Sequence, residues 1–124
     1  MVAPGPDGAP HPHREGVTPP DMHAVEEAAA LFRAAGEPQR LRLLAMLAQG
    51  ERCVSELAEA AAASMSTVSQ RLRVLRGEGL VSRRRAGKHA YYRLADDHVA
   101  ELIASALAHA DEPNAHRHRG GEPR

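Results

Sequence analysis

The hydrophobic period of this chain changes at Leu80 and returns to helical spacing after Ala95. Before Leu80 apolar residues recur at helical spacing. The segments "LVSRRR" and "HAYYRLA" then run with an extended, two-residue period on either side of "AGK", where glycine is available for a tight turn. A lone hairpin is not stable in water, so helices must supply the apolar surface that this one covers. Four helical segments precede it. The first follows Asp21 as a cap and runs through "MHAVEEAAALFRAAG" to Gly36. Pro38 opens the second, "PQRLRLLAMLAQG", with Leu41, Leu44 and Met46 or Leu47 inward and Gly50 as its stop. In the third, "VSELAEAAA", the stripe is Val54, Leu57, Ala58 and Ala61. After the link "ASM", Ser66 is a suitable N-cap for "TVSQRLRVLRGEG", whose Val68, Leu72 and Leu75 face the core. Two short helices joined by a tight link, the second opening with small polar residues and carrying arginines, read as a helix-turn-helix. The hairpin behind them is then a wing. A final helix starts at Asp96 or Asp97 and buries Val99, Leu102, Ile103, Ala106, Leu107 and Ala110. The expected fold is mainly α with a small β-hairpin, a winged helix-turn-helix of order α-α-α-α-β-β-α.

With only Phe32, Tyr91 and Tyr92 as aromatics, the core is built from Leu, Val and Ala and is small. Dimerisation through the terminal helices enlarges it. Lys and Arg balance Asp and Glu at 16 each, but the distribution is uneven. Between Ser64 and Arg93 eight basic residues stand against one acid, Glu78. That concentration in a neutral chain is the footprint of a polyanion-binding face. Helix N-terminal residues point into a major groove, which makes Ser66, Thr67, Ser69, Gln70 and Arg71 the candidates for base edges and nearby phosphates. Arg73 and Arg76, with the wing residues Arg83, Arg84, Arg85, Lys88 and His89, are the candidates for phosphate and minor-groove contacts. The expected partner is double-stranded operator DNA.

The stretch "DDHVAELIASALAHADE", residues 96–112, poses a separate question, because it carries two histidines eleven residues apart. At about 100° per residue, eleven residues make three turns plus about 20°, so His98 and His109 share a face with Leu102, Ser105 and Glu112. At 1.5 Å per residue they also stand roughly 16 Å apart. A zinc–nitrogen bond is about 2.0–2.1 Å, so one ion cannot join both histidines of one helix. Two copies packed antiparallel bring His98 of one chain beside His109 of the other, twice by symmetry. Taken singly, each histidine also reads as an ordinary surface residue.

On these residues the chain resembles the ArsR/SmtB family of metal-sensing repressors. The resemblance spans about residues 22–112 and rests on "PQRLRLLAML", "ERCVSELAEA", "STVSQRLRVLRGEGLV", the wing "RRRAGKHAYYRL" and the terminal "DDHVAELIASALAHADE". It implies a metal site of Asp96 and His98 from one chain with His109 and Glu112 from the other. It also implies an apo dimer that binds its operator and is released when Zn(II) occupies the intersubunit sites. Some members of the family widen that site for Ni(II) or Co(II) with extra nitrogen ligands, a role open to His116 and His118. Other members carry a Cys-x-Cys pair where this chain has "CVS"; with Ser55 in the second position, the resemblance argues against arsenite, cadmium and lead, and Cys53 reads as a small buried hydrophobe. A winged-helix regulator answering to a non-metal signal is the remaining alternative.

Four protein ligands leave no open position for water, which argues against a zinc hydrolase. The chain also has no nucleophile elbow, P-loop or dinucleotide fingerprint, so neither an enzyme nor a small-molecule substrate is expected. A single cysteine rules out an intramolecular disulfide. No apolar run approaches a membrane span and the first 20 residues have no apolar h-region; with the lone thiol this points to the cytoplasm. Residues 1–20 and 113–124, rich in proline, glycine and polar residues, are expected to be disordered, leaving one domain over 21–112.

Overall fold

The computed structural model describes residues 16–113. Residues 16–20 are exposed and outside any helix or strand, and most of the two expected tails, His116 and His118 included, lie outside the described residues. The element order is α1 (Met22–Ala35), α2 (Pro38–Leu47), β1 (Arg52–Cys53), α3 (Val54–Ala61), α4 (Met65–Gly77), β2 (Val81–Ala86), β3 (His89–Leu94) and α5 (Asp97–Ala110). This is the expected winged helix-turn-helix with one addition. The two-residue β1 pairs with β3, giving an antiparallel sheet of order β1-β3-β2. Two residues have no detectable period, so nothing local announces that strand.

Local chemistry sets the element ends. Asp21 caps α1, its carboxylate accepting from the Ala24 amide at 3.3 Å. Glu37 caps α2 by accepting from the Arg40 amide at 2.9 Å. The Arg40 guanidinium in turn donates to the Ala34 carbonyl at 2.7 Å, tying the end of α1 to the start of α2. Cys53 is the N-cap residue of α3, and its amide is satisfied by Glu56 Oε1 at 2.9 Å. The start of α4 differs from expectation: Ser64, not Ser66, is the cap, accepting from the Thr67 amide at 3.0 Å. Both serines suit a cap. The choice is made upstream by Ala62, whose left-handed backbone (φ 53°, ψ 46°) ends α3 and turns the chain early enough for Ser64 to serve. In the wing, Ala86 pairs with His89, so Gly87 and Lys88 form a two-residue turn with Gly87 at φ +64°.

Leu43 and Leu44 of α2, Leu57 of α3, Val68, Leu72 and Leu75 of α4, Leu80 just before β2, and Ile103 of α5 are fully buried and form the centre of the core. Tyr92 of β3 closes one side of it. On α2 the inward residues are Leu43, Leu44 and Leu47, with Leu41 and Met46 only partly buried. On α5 the expected stripe is only half used. Val99 and Ile103 are buried and Leu102 is half-buried, whereas Ala106, Leu107 and Ala110 are exposed. The second half of α5 runs past the core of its own chain and leaves an apolar edge.

Candidate metal and nucleic-acid sites

The first half of α4 presents Ser66 and Gln70 outward, with Ser69 half-buried beside them and Arg73 exposed one turn further on. Thr67 is half-buried and its hydroxyl accepts from the Ser64 hydroxyl at 2.9 Å, so it supports the cap. Arg71 stands apart: it is half-buried on the side facing α2, where its charge helps to hold the Glu37 carboxylate below its ordinary value, behind the hydrogen bonds Glu37 accepts from the Arg40 and Gln39 amides. The outward face of α4 is therefore Ser66, Ser69, Gln70 and Arg73, with Arg71 turned away from it.

Strand alternation sorts the wing. Arg83 and Arg85 lie on the face of β2 that carries Tyr92 and Ala90 across the ladder, the side packed over α3 and α4. Arg84 points the other way. Its Nε and second guanidinium nitrogen donate to both oxygens of Glu51, at 3.0 and 2.8 Å, and its guanidinium carbon sits 4.8 Å from the centre of the Tyr91 ring. The hydrogen bond to Glu51 raises the Arg84 pKa further and, reciprocally, Arg84 lowers that of Glu51. Lys88 and His89 are exposed at the tip, where the His89 ring meets Tyr91 edge-on at 6.1 Å. Glu51 has no sequence signature as a wing residue, because its partner lies 33 positions away.

At the other end of the chain, Asp96 caps α5 through Oδ1, which accepts from the Val99 amide at 2.9 Å. The same Oδ1 lies 4.0 Å from His98 Nδ1. Past the last turn, His109 Nδ1 is 3.6 Å from Glu112 Oε1. All four side chains are largely open to solvent. The sequence-derived donors thus come together as two pairs, one at each end of the helix. Among the described residues no three His, Cys, Asp or Glu side chains gather within one chain. Two imidazoles and two carboxylates are a donor set that suits Zn²⁺ in tetrahedral coordination, and each pair supplies half of it. Cys53, in contrast, is buried, with its sulfur 3.2 Å from the Ser55 hydroxyl.

Residues 37–83 match the model of the family described as bacterial regulatory protein, arsR family. The HTH-type transcriptional repressor SmtB of Mycobacterium tuberculosis is 38% identical over 94 residues, covering 76% of this chain and 70% of the relative. The chain belongs to the ArsR family. Another relative of this ArsR-family chain is the HTH-type transcriptional regulator NmtR of Mycobacterium tuberculosis, 41% identical over 102 residues and covering 82% of each chain. These relatives are transcriptional regulators rather than enzymes. Among solved structures, the homodimeric winged helix-turn-helix DNA-binding domain of a possible ArsR-family regulator from Mycobacterium bovis superposes with a TM-score of 0.73 at 36% identity, over 86% of this chain and 98% of that one. No helix among the described residues is long and apolar enough to cross a membrane.

Proposed function

We propose that this ArsR-family chain is a cytoplasmic, homodimeric, metal-responsive repressor that binds operator DNA without metal and leaves it when Zn(II) is bound between subunits. The observation that carries the metal reading is the pair of half-sites on α5. Asp96 with His98 and His109 with Glu112 are each two donors short of a closed tetrahedral site, are exposed, and stand at opposite ends of one helix. An antiparallel second copy makes both complete. The exposed Leu107 on α5, with Met22, Val25 and Phe32 on α1, supplies apolar surface for that copy to cover. The homodimeric relative supports the same assembly.

In the dimer the two α4 helices enter successive major grooves, about 34–36 Å apart. Ser66, Ser69 and Gln70 face base edges, and the arginines of α4 and the wing grip phosphates. A zinc ion held by these residues would supply a crosslink between the two α5 helices. Asp96 and His98 of one chain hold their side of that link from the start of the helix, and His109 and Glu112 hold the other side from its end. Release of DNA follows if that link spaces the α4 helices differently from the operator. Couplings of this kind are typically about 1–3 kcal/mol and reciprocal, so the operator weakens metal binding by the same factor.

Mixing His98→Ala chains with His109→Ala chains tests the shared site. Each mutant homodimer has two damaged sites, whereas the mixed dimer has one intact site and one lacking both histidines. Recovery of one tight zinc per mixed dimer is expected. Failure to recover it, with heterodimers demonstrated by native mass spectrometry, removes the antiparallel arrangement.

A further inference from the structure

Between the outward face of α4 and the underside of β2 lies a cavity of about 240 Å³. Four arginines line it, Arg73 and Arg76 from α4 with Arg83 and Arg85 from β2, together with Ser69 and Tyr92. Other arginines of the chain are engaged: Arg84 with Glu51, Arg40 with the Ala34 carbonyl, Arg52 with the Glu51 carbonyl, Arg93 with the Ser82 hydroxyl. Among the described residues none of the four cavity arginines has a carboxylate within ion-pair distance or a side-chain hydrogen bond, and Glu78, the one acid of the segment, pairs with none of them. Four like charges around one concavity repel unless an anion occupies it, and a concave wall focuses their field. The guanidinium fork matches phosphate oxygens two at a time. At about 30 Å³ per water, the cavity has room for roughly eight waters, enough for one phosphate group with part of its hydration.

We propose that this cradle binds a single phosphate group shared by the recognition helix and the wing, so that one backbone phosphodiester of the operator fastens β2 to α4. The proposal rests on the DNA-binding reading above and adds to it that these arginines act on one phosphate together, with Arg76 among them, rather than on one phosphate each. The ligand chemistry is a phosphate oxyanion, whose sources are the DNA backbone or a free phosphate or pyrophosphate.

The salt dependence of operator binding reads the number of phosphates neutralised, at a slope of about 0.9 per contact. The test uses the full chain with R73Q, R85Q and the double variant, all at exposed positions, with circular dichroism as the folding check. With one shared phosphate, each single variant loses up to about 0.9 in slope and the double loses no more than that. A double variant that loses about 1.8, twice the single, shows separate phosphates and overturns the proposal. Pyrophosphate titrated against the arginine Nε–H signals distinguishes the sources. Shifts at Arg73, Arg76, Arg83 and Arg85 but not at Arg40, with displacement of DNA beyond that of chloride at equal ionic strength, show that a free phosphate also enters. No such displacement, with the shared-slope result intact, assigns the cradle to the DNA diester. If the wild-type dimer binds no DNA, the functional reading fails, and the arginine shifts alone decide the cradle: their absence overturns it.

Discussion

Asp96 has one duty in the structure and a second in the proposed metal site, and a pair of substitutions separates them. Its Oδ1 caps α5 through the Val99 amide at 2.9 Å, and the carboxylate stands beside His98 as one of the two donors at that end. Replacing an N-cap Asp with Ala costs typically about 1 kcal/mol, whereas Asn caps as well as Asp. For a domain of this size about 1 kcal/mol moves the melting temperature by roughly 4–8 °C. In the presence of a chelator, Asp96→Ala is therefore expected to melt about 4–8 °C below wild type. Asp96→Asn should stay near wild type, less a small loss from removing a negative charge at a helix N-terminus. Zinc affinity is expected to fall in both variants, because an amide oxygen does not replace a carboxylate at the metal. The measurements are thermal unfolding by far-UV circular dichroism at one fixed protein concentration, since dimerisation makes the midpoint concentration-dependent, and zinc competition against a chromophoric chelator. An Asn variant that binds zinc like wild type removes Asp96 from the ligand set. An Ala variant that melts with wild type shows that the cap contributes nothing.

Gln70→Ala is expected to relax base preference at its position in the operator while leaving the salt slope unchanged, checked by binding to a panel of single-base operator variants. Deleting residues 114–124 should leave zinc-induced release of DNA nearly intact, because in the proposed site Asp96, His98, His109 and Glu112 make up a tetrahedral set without the tail; loss of a strong Ni(II) response on the same deletion, with zinc weak throughout, would replace zinc by nickel as the effector. Glu37, Glu51 and Glu56 all have pKa values below the ordinary 4.5, chiefly from the hydrogen bonds given by the Arg40 amide, the Arg84 side chain and the Cys53 amide respectively. Their folded-state pKa values are depressed, so the stability they contribute is present above pH 4.5 and is lost as the pH falls through the lowered values. Unfolding followed between pH 6 and 3 should show this loss, and Glu51→Gln should make the decline shallower.

The parts of the fold that were legible in the sequence are those with a local cause. The cap at Asp21, the proline opening α2, the glycine of the wing turn and the Val68–Leu72–Leu75 stripe each follow from a few adjacent residues, and the structure keeps them all. The features that escaped depend on distant chain segments. β1 exists only because β3 offers Tyr92 and Tyr91 as ladder partners for Arg52 and Cys53. Arg84 looks like its neighbours in "RRR" until Glu51 is brought to its side of the sheet. Arg71 reads as a groove residue by its place in α4, yet it is half-buried and its charge is near enough to contribute to the lowered pKa of Glu37. On α5 the apolar pattern is continuous while the core of a single chain is not, so the periodicity overstated what one chain buries. His98 and His109 stood out because eleven residues of helix bring them to one face roughly 16 Å apart, whereas their grouping with Asp96 and Glu112 came from the family resemblance.

Ala62 closes the link between α3 and α4 in the left-handed conformation, a place where an alanine sits at a cost of roughly 1–2 kcal/mol. Its amide is directed at the Ala58 and Glu59 carbonyls, and the flanking Leu57 and Val68 are buried, so the surrounding structure holds it there. An alanine in so narrow a conformational well has little compliance. The joint between the two helices is held in one shape, and α4 is packed against α2, α3 and β2 besides. On the proposed function, a signal at α5 then steers each protomer as a unit, by changing the span between the two protomers rather than by bending either one.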